Sequence, residues 1–448
     1  MKFGTDGVRG VANTELTASF ALRLGRVAAH VIGAANAVIG GDTRRSTPML
    51  VHAVAAGLAS AGVSVRNIGV VPTPVVAFEA SRRPLTLGVM VSASHNSFGD
   101  NGIKLFAPGG LKLTDEVQEA IEEALASPED TPSERDEQIG NIEEDAVGAE
   151  YARHVLGAIE GRSLHGLRII LDAANGAGHE LGPALLAAAG ADVTGLHVSP
   201  DGVNINAGCG ATDPASLARA VVEEGADLGL ALDGDADRLI AVDHEGRIVD
   251  GDHVLAVCAL DLRSRGLLHD DTVVVTVMTN LGFRLAMRDA GITVVDTAVG
   301  DRYVLEALER DRLSLGGEQS GHVIFRELST TGDGIMTGLL LADIVARAGR
   351  PLAELAAAAM TSLPQTLVNV QVVDADVDWP VVLAEEIDAV ERELGDHGRV
   401  LVRASGTEPV VRVMVEAPTQ QQANGAARRL AGVIAAHGSW IPTLWADQ

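Results

Sequence analysis

The sequence has few cysteines, few aromatic residues and no long hydrophobic run. Its two cysteines, Cys209 and Cys258, are too few for a disulfide framework and are typical of a reducing compartment. No uncharged apolar stretch approaches the roughly 18 residues that a membrane-spanning helix needs. The first residues, Met1 to Asp6, carry charges and lack the apolar core of a secretory signal peptide. We therefore expect a cytoplasmic protein with no membrane partner.

Basic residues are also scarce, with 34 Lys and Arg against 61 Asp and Glu and a formal net charge of −27. A chain of this charge repels nucleic acid, so we expect no nucleic-acid partner, although a small anion can bind where basic side chains gather. Abundant glycine (50 residues) and scarce aromatics (3%) favour an α/β fold with many tight turns. The length of 448 residues predicts two to four domains of about 100–200 residues each.

One pattern recurs three times: an Ala-rich helical stretch, an Ala-Gly pair, and a β-branched strand. The copies lie at Ala61-Gly62-Val63, Ala189-Gly190-Ala191 and Ala290-Gly291-Ile292. Glycine after a helix suits a left-handed cap, and the Val/Ile run suits a buried strand. The pattern indicates three related α/β units. Since any α/β protein can show it, the pattern alone leaves a true internal repeat undecided.

Residues 115–150 hold fourteen acidic residues and one basic residue, with two Ser/Thr-Pro pairs in the middle. We predict a helix followed by a solvated domain junction there. Further boundaries are indicated near the Glu245-Gly246 turn and before Pro364. The predicted domains, of which the first three are α/β and the last is smaller, are residues 1–150, 151–247, 248–363 and 364–448.

Four polar loops each follow a short apolar run. They lie at residues 92–96, 233–238, 316–322 and 403–407. Ligands of open α/β sheets gather at the carboxyl ends of the strands. One such loop in each predicted domain therefore indicates a cleft where the four domains converge.

The loop at 233–238 is the best candidate metal site. Asp233, Asp235 and Asp237 alternate, so three hard oxygen ligands can face one Mg²⁺ ion. An EF-hand is excluded because Arg238 stands where that loop needs Gly, and His244 where it needs Glu. A solvated acidic turn is the alternative. Three acids directly after a buried strand repel one another, however, unless a cation neutralises them.

Ser94 is the best candidate nucleophile. It lies in Ser92-Ala93-Ser94-His95-Asn96, which lacks the Gly-x-Ser-x-Gly elbow of serine hydrolases. The chain also contains no P-loop motif. A serine near three acids and a metal fits a phosphate carrier, whose added charge the metal and cations can neutralise. The segment alone does not decide between this role and an ordinary capping serine.

The two remaining loops suit anion and sugar binding. In the loop at 403–407, the guanidinium of Arg403 can donate two hydrogen bonds to an anion. Ser405 and Thr407 add hydroxyl groups, and Gly406 lets backbone amides approach the anion. Arg412 lies on the next strand-like run. A polar turn with one surface arginine is the alternative there. The loop from Glu318 to His322 combines carboxylate, hydroxyl and imidazole groups, the mixture that sugar hydroxyls require.

Four motifs occur together in a fixed order: Ser-Ala-Ser-His-Asn, Asp-Gly-Asp-Ala-Asp-Arg, Gly-Glu-Gln-Ser-Gly-His and Arg-Ala-Ser-Gly-Thr-Glu-Pro. In this order they resemble the α-D-phosphohexomutase superfamily, and the resemblance runs from Phe3 to about Glu416. Gln319, Gly300-Asp301-Arg302-Tyr303 and residues 329–334 resemble its bacterial phosphoglucosamine mutase branch. Ser97 departs from the proline that often follows Ser-His-Asn in this family. The resemblance implies three similar α/β domains with mixed sheets and a smaller α+β C-terminal domain around a central cleft.

The resemblance also implies a role for each motif. It makes Ser94 a phosphoserine, and catalytic roles are expected for Ser94, Arg9, His95 and Lys104. One Mg²⁺ ion is expected on a phosphoserine oxygen of Ser94 and on Asp233, Asp235 and Asp237. Substrate contacts are expected from Arg238, Arg302, Glu318, Ser320, His322, Arg403, Ser405, Gly406, Thr407 and Arg412.

The implied reaction interconverts glucosamine 6-phosphate and glucosamine 1-phosphate through a bisphosphate intermediate, feeding UDP-N-acetylglucosamine and cell-wall precursor synthesis. It requires prior phosphorylation of Ser94 by a sugar bisphosphate or another donor. Phosphomannomutase or phosphoglucomutase activity is the first alternative. An aspartyl-phosphate phosphatase, with Asp233 as nucleophile and Asp235 as acid/base, and a non-catalytic sugar-phosphate sensor are the others. The sequence leaves the oligomeric state open, with a homodimer as one alternative.

Overall fold

The computed structural model describes residues 2–4, 7–127, 136–145, 148–372, 377–404 and 410–437. The chain divides into two compact units. The first comprises residues 1–279 and 290–359, and the second comprises residues 280–289 and 360–448.

The first region of the chain forms a seven-stranded mixed sheet in the order β1-β5-β4-β2-β3-β7, with β6 paired to β5. Its elements are β1 (Val8–Val11), α1 (Ala18–Ile32), β2 (Asn36–Gly41), α2 (Thr47–Ser60), β3 (Ser64–Val70), α3 (Thr73–Ser81), β4 (Thr86–Val91), β5 (Asp100–Ala107), β6 (Leu111–Lys112), α4 (Asp115–Ala126) and β7 (Ile142–Glu144). The acidic stretch therefore contains the predicted helix, α4. It also contains a strand that the sequence did not predict, because β7 pairs parallel to β3. Its residues 128–135 and 146–147 lie outside the described residues.

The second region forms a five-stranded mixed sheet in the order β12-β11-β10-β8-β9. Its elements are α5 (Ala149–Gly157), β8 (Arg168–Asp172), α6 (Leu181–Ala188), β9 (Asp192–Leu196), α7 (Ala215–Glu224), β10 (Leu228–Leu232), β11 (Leu239–Asp243) and β12 (Ile248–Val249).

The third region forms a four-stranded mixed sheet in the order β14-β13-β15-β16. Its elements are α8 (Gly251–Ser264), β13 (Thr272–Thr276), α9 (Leu281–Asp289), β14 (Thr293–Thr297), α10 (Asp301–Asp311), β15 (Leu315–Gly317), β16 (Val323–Phe325), α11 (Gly334–Ala348) and α12 (Leu352–Ala359). Of these elements, α9 belongs to the second compact unit.

The three sheets share one topology. Numbered along the chain, four strands of each sheet lie in the order 4-3-1-2, with strands 1 to 3 parallel and strand 4 antiparallel. The Ala-Gly pattern ends the helix between strands 1 and 2 in every copy, where Gly62, Gly190 and Gly291 have φ of +84°, +99° and +68°. Such φ values favour glycine because it lacks Cβ. The internal repeat that the pattern left undecided is therefore present in the fold.

The central strands are buried along their whole length, which explains why they read as uninterrupted apolar runs. All residues of β4, β10 and β13 are buried, as expected for parallel strands covered on both faces. Around the first sheet, residues such as Leu24, Leu50 and Val89 form one core. Each such side chain contributes about 1.5–3 kcal/mol on full burial.

The second unit contains a smaller antiparallel sheet in the order β17-β19-β18. Its elements beside α9 are β17 (Gln365–Gln371), α13 (Trp379–Val382), α14 (Ala384–Leu394), β18 (Arg399–Ala404), β19 (Val410–Glu416) and α15 (Gln420–His437). Trp379, Leu383, Val413 and Leu430 lie in its core. The predicted fold class, three α/β domains with mixed sheets and a smaller α+β C-terminal domain, is confirmed. Among the described residues, no helix is long and apolar enough to cross a membrane.

Candidate active site

Three of the four predicted loops meet in the first unit, and they occupy equivalent places in the three repeats. Each connects strand 3 to the antiparallel strand 4: residues 92–99, 233–238 and 318–322. Ser94 Oγ donates to Asp233 Oδ2 at 2.6 Å, which joins the first loop to the second. His322 Nδ1 lies 3.7 Å from Asp237 Oδ1, which brings the third loop to the second. The strand-end argument therefore placed these loops correctly.

The Ser94 loop has a strained backbone that two donors hold in place, the half-buried Asn206 and the buried Arg44. Ser94 is 1% exposed and has a left-handed φ of +52°, a conformation that costs about 1–3 kcal/mol. Asn206 Nδ2 donates to the carbonyls of Ser94 (2.8 Å) and Asn96 (3.0 Å). The Arg44 guanidinium donates to the same two carbonyls and pairs with buried Asp42. Ser94, the candidate nucleophile, is therefore held in contact with the loop at 233–238.

Gly234 shows how closely the first two loops approach. A Cβ on this residue would lie 2.5 Å from the Ser94 carbonyl oxygen. Any other residue would force the Ser94 loop away from the acidic loop. The glycine in Asp-Gly-Asp-Ala-Asp is therefore required by a contact between repeats.

Asp233, Asp235 and Asp237 form a buried carboxylate triad. They are 0%, 0% and 3% exposed, and one oxygen of each lies within 4.8 Å of the others. Oδ1 of Asp235 and Oδ1 of Asp237 are buried and have no hydrogen-bond partner among the described residues. Burial, followed by the charges of Asp237 and Asp235, raises the pKa of Asp233 to about 8. Excess negative charge and unpartnered hard oxygens fit Mg²⁺, which prefers oxygen ligands.

Lys104 supplies positive charge beside the triad. It lies on β5, is 1% exposed, and its Nζ is 2.8 Å from Asp235 Oδ2 and 3.0 Å from Asp237 Oδ2. Burial would raise the pKa of Asp237, but Lys104 and then His322 hold it well below its usual range. Thr73 Oγ1 also donates to Asp235 Oδ2, at 2.6 Å. Asp235 and Asp237 therefore each have one oxygen bonded to a donor and one that is available to a cation, whereas both oxygens of Asp233 already accept hydrogen bonds.

His95 lies beside the Ser94 hydroxyl, and the charges of Arg238 and Arg9 act on His95. His95 Nδ1 lies 3.3 Å from Ser94 Oγ. Burial, then the charges of Arg238 and Arg9, lowers the pKa of His95 to about 4, so its imidazole is neutral at pH 7. Arg238 Nε lies 4.0 Å from Asp233 Oδ2 and 3.9 Å from Asp237 Oδ1. The structure thus places Ser94, His95 and Lys104 around the triad, and their predicted catalytic roles, with that of Arg9, stay predictions.

In the third loop, residues 318–322, His322 is enclosed by protein groups, whereas Glu318 and Ser320 are partly exposed. His322 is buried, and its Nε2 accepts from the Gly332 amide at 2.9 Å, which leaves the ring proton on Nδ1, facing Asp237. Both ring nitrogens are therefore directed at protein groups, and the predicted sugar contact of His322 stays a prediction. Glu318 and Ser320 are half-buried, and the Ser320 hydroxyl lies 3.3 Å from Glu318 Oε2.

Arg302 faces a different part of the protein from the other predicted site residues. Its guanidinium makes two hydrogen bonds of 2.6 Å to Asp115, one to each carboxylate oxygen. Since both terminal nitrogens are bonded to Asp115, the predicted substrate contact of Arg302 stays a prediction.

Arg403 and Arg412 face each other in the second unit. Arg403 lies within β18 rather than in the loop that follows, and its register partner on β19 is Arg412. Burial, then the charge of Arg412, lowers the pKa of Arg403. Within the described ranges, no carboxylate lies within 4.0 Å of either arginine. Like charges directly opposite each other are destabilising, so an anion is expected between them. Ser405, Gly406 and Thr407 lie outside the described residues.

Sequence reasoning missed four residues of the site. Asp42 and Arg44 follow β2, and Thr73 lies just after β3, so the strand-end rule could have found them. Asn206 had no such signal, because its contact with the Ser94 loop spans 112 positions of the chain.

Comparison with known proteins agrees with this architecture. The four domain models of phosphoglucomutase/phosphomannomutase match in order: α/β/α domain I at residues 1–131, domain II at 149–246, domain III at 250–363 and the C-terminal domain at 367–433. The chain is 54% identical to the phosphoglucosamine mutase of Frankia alni, covering 97% of this chain and 98% of that protein. It is 53% identical to the phosphoglucosamine mutase of Rhodococcus opacus, covering 97% and 99%.

Two solved structures share the fold. A phosphoglucomutase/phosphomannomutase family protein from Burkholderia thailandensis matches with a TM-score of 0.81 and 26% identity, over 97% of this chain and 98% of that one. The N-acetylphosphoglucosamine mutase of Aspergillus fumigatus, solved with GlcNAc-6P and magnesium, matches with a TM-score of 0.71 and 20% identity, over 98% and 96%. At that identity the second match supports the fold alone. The chain therefore belongs to the phosphoglucomutase/phosphomannomutase family, in its phosphoglucosamine mutase branch.

Proposed function

We propose that this isomerase interconverts glucosamine 6-phosphate and glucosamine 1-phosphate, with Ser94 as the phosphate carrier. One observation carries the proposal: the Ser94 hydroxyl is hydrogen-bonded to a buried carboxylate triad that has unpartnered oxygens. A hydroxyl in that position can hold a phosphate only if a cation joins it to the carboxylates. We place the reaction in the cytoplasm, where the free thiols of Cys209 and Cys258 would stay reduced.

Asp233, Asp235 and Asp237 would hold one Mg²⁺ ion together with an oxygen of phosphorylated Ser94. When bound, the ion neutralises phosphate charge and makes the phosphorus a better electrophile. Three carboxylates, Mg²⁺ and a phosphoserine together leave a charge of about −3. Lys104, in contact with two of the carboxylates, would offset part of this charge.

In the first half-reaction, phospho-Ser94 gives its phosphoryl group to the free hydroxyl of the sugar phosphate: the bond from Ser94 Oγ to phosphorus breaks, a sugar O–P bond forms, and the proton of the hydroxyl ends on Ser94 Oγ. Negative charge then builds on Ser94 Oγ, and Arg238 and Arg9 stabilise it electrostatically. A neutral His95 with its proton on Nδ1 donates to the same oxygen, which lies 3.3 Å away. The sequence suggested proton transfer by Lys104. Its Nζ contacts two carboxylates of the triad, which supports a charge-stabilising role, and the proton-transfer role stays a prediction.

In the second half-reaction, the sugar bisphosphate turns end for end and returns its other phosphate to Ser94. The same bisphosphate would phosphorylate Ser94 for the first turnover. An anchor for the phosphate that is not transferred must accept either end of the sugar. We assign this role to Arg403 and Arg412, with Ser405, Gly406 and Thr407, and we assign the sugar hydroxyls to Glu318 and Ser320.

A substrate panel tests the proposed function. The kcat/KM for glucosamine 1-phosphate should exceed those for glucose 1-phosphate and mannose 1-phosphate by at least about tenfold, or about 1.4 kcal/mol. The expectation rests on the full-length relatives, which are phosphoglucosamine mutases at 52–54% identity. Faster turnover of glucose or mannose phosphate would favour the phosphoglucomutase or phosphomannomutase alternative.

Arg403→Ala should weaken productive binding of the 1-phosphate and the 6-phosphate alike. Loss of a charge-assisted hydrogen bond of about 1.5–3 kcal/mol corresponds to a loss of about ten- to over a hundredfold in kcat/KM. Metal affinity should barely change, because the carboxylate triad lies in the other compact unit. Steady-state kinetics in both directions, together with a Mg²⁺ titration, measure both effects.

Arg392→Ala is the matched control for this variant, since it removes an exposed arginine from α14 of the same unit. It should leave kcat/KM unchanged. No loss in either direction for Arg403→Ala would mean that Arg403 is not the anchor. A large loss in one direction only would violate the thermodynamic link between the two directions and would indicate an experimental artefact.

A further inference from the structure

A second cluster of metal-ligating side chains lies in the second repeat, apart from the carboxylate triad. One donor atom each of Asp172, His197 and Cys209 lies within 4.8 Å of the other two. Asp172 and Cys209 are fully buried, and the side chain of His197 is 27% exposed. We propose that these three residues bind a transition-metal ion, Zn²⁺, at a site separate from the Mg²⁺ site.

The sheet topology explains why these side chains meet. Asp172 ends β8, and His197 follows the last residue of β9, its parallel neighbour. On the other side of β8 lies β10, which leads into Asp233. The two metal sites therefore occupy neighbouring strand ends, where β8 has a parallel partner on each side. Such switch points are the usual ligand positions of open α/β sheets.

The third donor arrives on the loop after β9, and its approach depends on a glycine. Gly210 follows Cys209 and has φ of +73°. A Cβ on Gly210 would lie 2.6 Å from the Leu232 carbonyl and 2.5 Å from the Ala174 Cβ. Only glycine allows the loop to pack this closely against the ends of β8 and β10. The fold therefore delivers the thiol to Asp172 and His197.

The donor atoms have bonding capacity left for an ion. Asp172 accepts two backbone amides, those of Ala174 and Gly210, both at 2.9 Å. A carboxylate has about four lone-pair positions, so capacity remains. His197 Nδ1 is buried and lies 3.1 Å from Asp172 Oδ2, but it is too poorly aligned to form a hydrogen bond. An unpaired buried nitrogen costs about 1–3 kcal/mol, which a bound ion would recover.

The donor set selects the kind of ion. Thiolate and imidazole are ligands of Zn²⁺ and other transition metals, whereas Mg²⁺ and Ca²⁺ prefer oxygen alone. Zn–S and Zn–N bonds of about 2.3 and 2.0–2.1 Å would place sulfur and nitrogen roughly 3.6 Å apart, so small side-chain movements are sufficient. Three protein ligands leave the fourth position of a tetrahedral ion to water, and the partly exposed His197 leaves access from solvent.

Charge balance also favours a divalent ion. The carboxylate of Asp172 and the thiolate of Cys209 would together neutralise Zn²⁺, so the buried site carries no net charge. Without a metal, burial, followed by the charges of Asp172 and Asp213, raises the pKa of Cys209 to about 12. The thiol is then protonated at neutral pH, and Zn²⁺ binding must release its proton.

The site lies beside the machinery that holds Ser94. Asn206, three residues before Cys209, donates to the carbonyls of Ser94 and Asn96 at 2.8 and 3.0 Å. An ion held by Cys209 would therefore restrain the loop that carries this support.

The test uses the full-length chain, stripped of metal and then kept in excess Mg²⁺ so that the carboxylate triad is occupied. We expect one Zn²⁺ to remain bound per chain after desalting, and Co²⁺ in its place to show thiolate-to-metal charge-transfer absorption. Cys209→Ser should abolish that absorption and lower Zn²⁺ affinity by at least about tenfold. Cys258→Ser, which removes the other buried cysteine, is the matched control and should change neither.

His197→Asn provides a second variant in case Cys209→Ser does not fold. His197 has φ of +50°, which asparagine tolerates well. It should also lower Zn²⁺ affinity by at least about tenfold. The proposal is overturned if the wild-type chain retains no Zn²⁺ in excess Mg²⁺. It is equally overturned if the His197 and Cys209 variants bind Zn²⁺ as tightly as Cys258→Ser, since the cluster is then only a buried Asp–His contact beside a thiol.

Discussion

Ser94→Ala should abolish mutase turnover while the protein stays folded. Among the described residues, only Ser94 has a hydroxyl that is hydrogen-bonded to Asp233 of the triad and also lies 3.3 Å from His95. Without that oxygen there is no phosphoserine, and no half-reaction can start. We expect a loss of at least about 10⁴-fold in kcat, equivalent to about 5.5 kcal/mol. The stability cost should be about 1–3 kcal/mol, since the buried carboxylate of Asp233 loses the donor that Ser94 Oγ supplied.

Steady-state kinetics and labelling with radioactive sugar bisphosphate measure this effect. Ser97→Ala is the matched control, because it removes an exposed hydroxyl from the same loop. It should retain turnover and incorporate label. Near-normal turnover in a folded Ser94→Ala protein would refute the phosphoserine mechanism. Label on Asp233 would instead favour the aspartyl-phosphate phosphatase alternative.

Removal of the divalent cation should have an effect of similar size. Activity should disappear in EDTA and return with Mg²⁺. The three buried carboxylates of the triad repel one another, and Asp235 and Asp237 each have an oxygen without a hydrogen-bond partner among the described residues, so a hard cation is required to neutralise them. Asp235→Asn should weaken Mg²⁺ binding by about ten- to a hundredfold. The amide retains an oxygen that can accept from Thr73 but removes one negative charge.

The measurement is a Mg²⁺ titration of activity combined with calorimetric binding. Asp192→Asn, an exposed aspartate on β9 of the same domain, is the control and should titrate like the wild-type chain. Full activity in chelator would show that the triad has another role. An unchanged Mg²⁺ requirement in Asp235→Asn would show that the ion binds elsewhere.

Some of this site was predictable because its signals are local. Buried parallel strands read as apolar runs, and polar residues directly after them lie at the carboxyl edge of a sheet. The strand-end argument placed Ser94 and the three aspartates at such edges, and the structure brings them together. The strand-end argument placed Arg403 in the loop after the strand, but Arg403 lies inside β18. A strand can continue past its apolar residues when the neighbouring strand, here β19, continues to pair with it.

The threefold repeat was also predictable only in part: its local signal could be read from the sequence, but its strand order could not. Each Ala-Gly copy was readable as a helix end followed by a strand, because glycine suits the left-handed turn that this junction needs. Whether the three copies share one strand order depends on pairing between distant segments. Only the folded sheets show the common order 4-3-1-2.

The sequence by itself determined the α/β class, and it led us to propose Ser94 as the nucleophile and Asp233, Asp235 and Asp237 as the metal ligands. The tertiary structure decided which groups support them: Asn206 holds the Ser94 loop across 112 positions, and Lys104 reaches Asp235 across 131. It also turned Arg302 toward Asp115, 187 positions away. Local periodicity reports burial and backbone conformation, whereas contacts over such separations arise only when whole sheets pack, so no short stretch of sequence encodes them.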